Sequence, residues 1–219
     1  MRNKVKFPIK PIIYVICGVF IGAVIWGVIT TFTEINLFPN RETGVVCAET
    51  AGNAELASLA YTVLENIRDY DFTALSGVVH PHFGVVFTPY TTINLATDRR
   101  FSVSEVQSMG ANTTIYIWGV RNGTGEPISL TPSEFLEQFV PAEDFLDSAL
   151  VGINKIVRTG NALENIKEVF PEVRFVDFHL TGSEEDIYGI DDWRSLRLGF
   201  EEYYGKLRLI AIIHSTWTA

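Results

Sequence analysis

Apolar residues run without a single charge from Ile12 to Phe32. As a helix this run is roughly 31 Å long, which matches the hydrocarbon core of a bilayer. The pattern predicts a membrane-spanning helix over residues 11–32, behind a basic tail of residues 1–10. Residues 33–52 hold no period and are broken by Pro39, Asn40, Gly44 and Gly52, so they read as a linker. From Asn53 the pattern becomes amphipathic. Leu56, Leu59, Ala60, Val63, Leu64 and Ile67 recur every three or four residues, which predicts a helix with one buried face. A short helix follows around Phe72, Leu75 and Val78, and His80-Pro81 ends it.

Alternation then takes over. Gly84 to Tyr90 reads as a strand with a turn at Pro89, and Thr114 to Val120 as a β-branched and aromatic strand. Asn122-Gly123-Thr124-Gly125 is turn chemistry before a short return strand at Ile128–Leu130. Ser102 with Glu105 and Thr131 with Glu134 have capping-box spacing, so each should open a short helix. The second of these should run to about Phe139, where Pro141 stops it. Residues 142–158 fit helix and strand equally. Asn161 to Glu164 should cap another short helix ending near Pro171.

The last third has the clearest pattern. Val173 to Leu180 is a strand, and an acidic loop spans Thr181 to Asp192. Trp193–Tyr203 and Lys206–Trp217 then form a hairpin about Tyr204-Gly205. A two-residue loop sets Tyr203 opposite Lys206, Glu201 opposite Arg208 and Phe200 opposite Leu209. Continued without a break, that register pairs Leu198 with Ala211, Leu196 with Ile213, Arg197 with Ile212 and Ser195 with His214. Helices early and a meander late argue an α+β domain over residues 53–219, with a curved, mainly antiparallel sheet packed on helices.

Charge narrows the picture. Arg2, Lys4, Lys6 and Lys10 precede the apolar run, and no acid does. Basic flanks stay in the cytoplasm, so the N-terminus is expected inside and the folded domain outside, on a single-pass cell-membrane protein. A cleaved signal peptide has a shorter apolar region and a small-residue site close behind it; here the nearest such pattern is Val46-Cys47-Ala48. Beyond the run remain 13 basic against 26 acidic residues. A surface of that sign repels nucleic acid and tolerates cations. The two cysteines, Cys17 and Cys47, fall on either side of the expected membrane boundary and cannot pair within one chain.

Several stretches resemble the nuclear-transport-factor-2-like superfamily. They are Asp71-Phe72 with His80-Pro81 in the opening helices, and the closing strand Leu209-Ile210-Ala211-Ile212-Ile213-His214. More closely, the chain is similar to a group of uncharacterised extracytoplasmic proteins of Gram-positive bacteria. The shared segments are Gly84-Val85-Val86-Phe87-Thr88-Pro89-Tyr90, Trp118-Gly119 with Gly125-Glu126-Pro127-Ile128, Asp192 to Leu198, and Trp217-Thr218. The resemblance implies a cystatin-like cone, a bent sheet wrapped around helices. It implies no activity, because that cone hosts isomerases, dehydratases and non-enzymes. Two positions depart from the group: Val86, near which a basic residue is expected, and Tyr204, where the turn wants Asp or Asn.

Candidate chemistry is sparse. Asp177 and His179 alternate on one face of a strand, the usual way a carboxylate orients an imidazole for acid–base work. The opposite face carries Val176, Phe178 and Leu180, so the pair is expected to look outward. Tyr90, Trp118, Trp193 and Arg194 are the expected ligand-binding set, with Trp193-Arg194 at the rim. His80 and His82 have chelating spacing, but Pro81 between them argues a helix stop, and no metal site is expected. Glu184-Glu185-Asp186 and Asp191-Asp192 lack calcium-loop spacing. No cofactor motif is present. The chain is therefore expected to be a membrane-tethered, non-enzymatic binding module for a small ligand, a wall component or a protein. The alternatives are an acid–base enzyme using Asp177 and His179, and a dimerisation module using the sheet face near Ile210 and Ile212.

Overall fold

The computed structural model describes residues 45–182 and 192–217. The expected membrane span over residues 12–32, its basic tail and most of the acidic loop lie outside them. Among the described residues, no helix is long and apolar enough to cross a membrane. The chain from residue 49 onward groups as one compact unit.

Helix α1 (Val45–Arg68) starts well before Asn53, where the expected linker should still run. Its apolar positions do what their spacing predicts: Leu56, Ala60, Val63 and Leu64 are fully buried. Asp71 caps α2 (Phe72–Val78) by accepting the Ala74 N–H. Then come β1 (Val85–Thr88), β2 (Arg99–Phe101), α3 (Val103–Gln107), a 3₁₀ turn (Met109–Ala111), β3 (Tyr116–Val120) and β4 (Pro127–Leu130). Both expected capping boxes form, Ser102 with Glu105 at α3 and Thr131 with Glu134 at α4 (Pro132–Phe139). The ambiguous stretch resolves into α5 (Ala142–Ser148) and β5 (Leu150–Ile153). A single helical turn, α6 (Ile166–Val169), precedes β6 (Arg174–Leu180), β7 (Arg194–Tyr203) and β8 (Lys206–Thr216).

The result is an α+β domain with one curved six-stranded sheet, in the order β2-β1-β8-β7-β6-β5, and a separate β3-β4 hairpin. Every pair is antiparallel except β1 on β8. One sheet face packs on α1, α2 and α4 through Val176, Phe178, Leu196, Leu198, Phe200, Leu209 and Ile212. The other face is also covered. The chain from Asn154 to Phe170 crosses it and buries Phe175, Ile210, Ala211 and Ile213 beneath Ile166 and Phe170.

The hairpin register holds as far as Phe200 opposite Leu209 and then slips by one. A bulge gives β8 one extra residue, so Leu198 meets Ile212, Leu196 meets His214, Arg197 meets Ile213 and Ser195 meets Ser215. This corrects the expected pairs and turns His214 to the helix side. It also parts Ile210 from Ile212: they join opposite cores, and both are fully buried by the chain's own residues. The face expected to meet a second copy is already occupied. At the hairpin tip Tyr204 takes φ 48 and Gly205 φ 72, the left-handed pair that such a turn demands.

Candidate functional site

The sheet brings Asp177 and His179 together with residues from the neighbouring strand. Asp177 is opposite Arg197, and His179 opposite Ser195. The expectation that this pair looks outward is corrected: Asp177 is 0% and His179 3% exposed. Alternation chose the face correctly, but the segment over residues 154–170 folds back across it. Asn154 anchors that segment by exchanging backbone and side-chain bonds with Phe175, at 2.8 and 3.0 Å. Asn165 does the same at the other end, accepting the Ile93 N–H and donating to Ile93 O, each at 2.9 Å.

Beneath this cover lies a chain of buried charges. The Asp177 carboxylate accepts the Val157 N–H at 2.7 Å and faces the Arg197 guanidinium at 3.2 Å. Arg197, wholly buried, also reaches Glu164. Burial pushes the Asp177 carboxyl above its ordinary range, while Arg197 and the Val157 N–H pull it back. His179 Nδ1 lies 2.8 Å from Ser195 Oγ, and its ring leans on Trp193 at 5.6 Å. These polar groups pair as ions and hydrogen bonds inside a packed layer, while Asp177 Oδ1 and Arg197 Nε make no hydrogen bond there. Such an arrangement orders a fold.

The expected ligand set divides. Trp193 is fully buried under the Arg158 guanidinium, 5.5 Å from the ring centre. Arg194, half exposed, makes a 3.2 Å surface pair with Asp144. Tyr90 and Trp118 do share one site. They line a cleft of about 370 Å³ between the end of β1 and the β3-β4 hairpin, together with Thr88, Thr92, Asn94 and Asp98. That volume lies in the range of small-molecule sites. Trp118 shows only an edge to it, since it is stacked on Phe135 at 4.0 Å and donates its indole N–H to Leu130 O. Tyr90 stands in the wall, its hydroxyl accepting the Asn122 N–H at 3.3 Å.

Asp98 is the charged residue of that lining. Its carboxylate accepts the Asn94 N–H at 2.7 Å, closing a tight loop over residues 94–98. Partial burial pushes its carboxyl up to about 6, against the pull of Asn94 and Thr88. Behind the cleft, Pro89 O accepts from His214 Nδ1 at 2.9 Å. Burial pushes that imidazole down to about 4, so His214 is neutral at physiological pH. Sequence reasoning passed over Asp98 because nothing in the loop over residues 91–98 has a period or a motif. Arg197 left a better trace: an Arg set between Leu196 and Leu198 on one central strand, and an Asp set between Val176 and Phe178 on the next.

His80 stops the helix as its spacing suggests, its Nδ1 accepting the Phe83 N–H at 2.9 Å. His82 turns instead to the Tyr203 hydroxyl at 2.8 Å. Among the described residues no three His, Cys, Asp or Glu side chains gather as a metal site would need.

The chain matches no family model and no curated protein. Among solved structures it is similar to Aln2 from a Streptomyces species, at 10% identity and a TM-score of 0.34, over 74% of this chain and 88% of that one. A likeness that slight carries no argument about function.

Proposed function

We propose that this protein is a membrane-tethered binding module. A helix over residues 11–32 holds a cone-shaped domain on the outer side of the cell membrane, and the cleft between Tyr90, Trp118 and Asp98 takes a small ligand. The cleft carries this reading: it is concave, partly aromatic and furnished with a few fixed polar groups. The sequence supports the tether through the uncharged run from Ile12 to Phe32 and the basic residues before it. Asp177 and His179 do not line that cleft, so the module needs no chemistry from them.

One observation favours a second reading, an acid–base enzyme. A carboxyl whose affinity for a proton lies at about 6 suits a general base, and Asp98 has that property. In that case turnover would depend on Asp98 and survive loss of the His179 imidazole.

The tether is tested with a membrane-impermeant maleimide on intact cells. Both native cysteines are replaced by serine, and Tyr204, 89% exposed, becomes the reporter as Tyr204→Cys. Labelling of intact cells is expected. Labelling only after lysis would place the domain inside and overturn the topology.

A further inference from the structure

We propose that the cleft binds its ligand through a protonated amine on that ligand, with the Asp98 carboxylate as the counter-ion. This rests on the reading of the domain as a binding module. The first observation is what surrounds Asp98. The described residues that line the cleft include no Lys, Arg or His, and Asp98 has no ion-pair partner among the described residues. Its neighbour Arg99 is turned away: the Nε–H goes to Ile117 O at 3.0 Å, and the guanidinium lies over the Tyr116 ring at 5.1 Å. Thr88 donates its hydroxyl to Tyr90 O at 2.8 Å and also pulls on the Asp98 carboxyl. The carboxylate therefore faces the cleft held by the Asn94 N–H and steadied by Thr88, with lone pairs to spare for a ligand.

The second observation concerns cost. A neutral ligand closing this cleft would strip water from a half-buried carboxylate and return no charge, which is unfavourable. An ammonium group returns the charge and three donors. The oxygens at the rim, the hydroxyls of Thr92 and Thr97 and the amides of Asn94 and Asn122, then suit the rest of a polar molecule. The half-buried ring of Tyr90 adds a face that favours a cation. A bare divalent ion fits poorly, since calcium takes six to eight oxygens and here only one carboxylate is present. The acidic surplus beyond the apolar run also raises the local concentration of cations.

The test uses the full chain in nanodiscs, with its four tryptophans replaced by 5-fluorotryptophan. The Trp118 fluorine resonance then reports on the cleft itself. The probes are matched pairs: D-glucosamine with N-acetyl-D-glucosamine, and alaninamide with lactamide. The expected result is a Trp118 shift with the amines, saturating below about 10 mM, and binding about tenfold weaker or worse in Asp98→Asn. An unmoved Trp193 resonance shows that the variant is folded, and Asp98→Ser serves where it is not. Equal binding of the neutral partners, or amine binding that survives both variants, overturns the inference and leaves the binding module standing. A response to calcium chloride that the amines do not share also overturns it. No Trp118 shift with any probe overturns both.

Discussion

The Arg197 guanidinium and the Asp177 carboxylate meet 3.2 Å apart in the middle of adjacent strands, and neither side chain touches solvent. Each charge is tolerated because it is paired, Asp177 with Arg197 and Arg197 with both Asp177 and Glu164. Removing one partner of a buried pair costs roughly 3–5 kcal/mol, whereas replacing both with apolar groups is often close to neutral. Arg197→Met is therefore expected to destabilise the domain by about that amount, and Arg197→Met with Asp177→Leu by distinctly less. Urea denaturation of the two variants decides the matter. Equal losses would mean that packing, not charge, dominates the site.

Tyr204 is a local misfit. Its φ of 48 lies in the left-handed region, and 89% exposure leaves the ring little packing to offset the strain. Asn enters that region far more readily than Tyr. Tyr204→Asn is expected to raise stability by about 0.5–1 kcal/mol, read as a higher denaturation midpoint with an unchanged slope.

His214 should make the fold sensitive to acid. Its imidazole stays neutral in the folded protein down to about 4, whereas an unfolded chain binds a proton near 6.5. Between those values the unfolded state gains a proton that the folded state refuses. The contribution is complete above 6.5 and drains away as the pH falls to about 4, by about 3 kcal/mol. Wild type should therefore lose that much relative to His214→Gln between neutral pH and pH 4. Parallel curves for the two proteins would show that the imidazole is not desolvated.

Asp98 acts in the opposite sense. Its folded-state affinity for a proton, raised to about 6, means that ionisation costs stability as the pH climbs from 3.8 through about 6. Solvent reaches the carboxylate, so the screened cost is only about 1 kcal/mol. Asp98→Asn is expected to be more stable than wild type at neutral pH and equal to it below 3.8, as thermal melts across that range would show.

The sequence alone determined the local elements. The three-and-four spacing from Leu56 to Ile67, the two capping boxes and the Tyr204-Gly205 turn each depend on neighbours a few residues away, and each is present. The same local physics chose the face of β6 that carries Asp177 and His179. It did not decide what covers that face. The segment over residues 154–170 has no period of its own and is placed by Asn154 and Asn165, whose partners lie far along the chain. Nor could alternation reveal the bulge beside Gly199, because an extra residue leaves every side chain's identity unchanged and alters only its partner. That one residue moved His214 to the helix side and parted Ile210 from Ile212. Asp98 was invisible for a similar reason. A carboxylate becomes a site through the walls around it, and the hairpin that supplies Trp118 and Asn122 is remote in sequence. Short-range sterics and hydrogen bonding belong to the sequence. Burial, and with it the raised carboxyls of Asp98 and Asp177 and the lowered imidazole of His214, belongs to the tertiary structure, because desolvation is set by segments that meet only when the chain has folded.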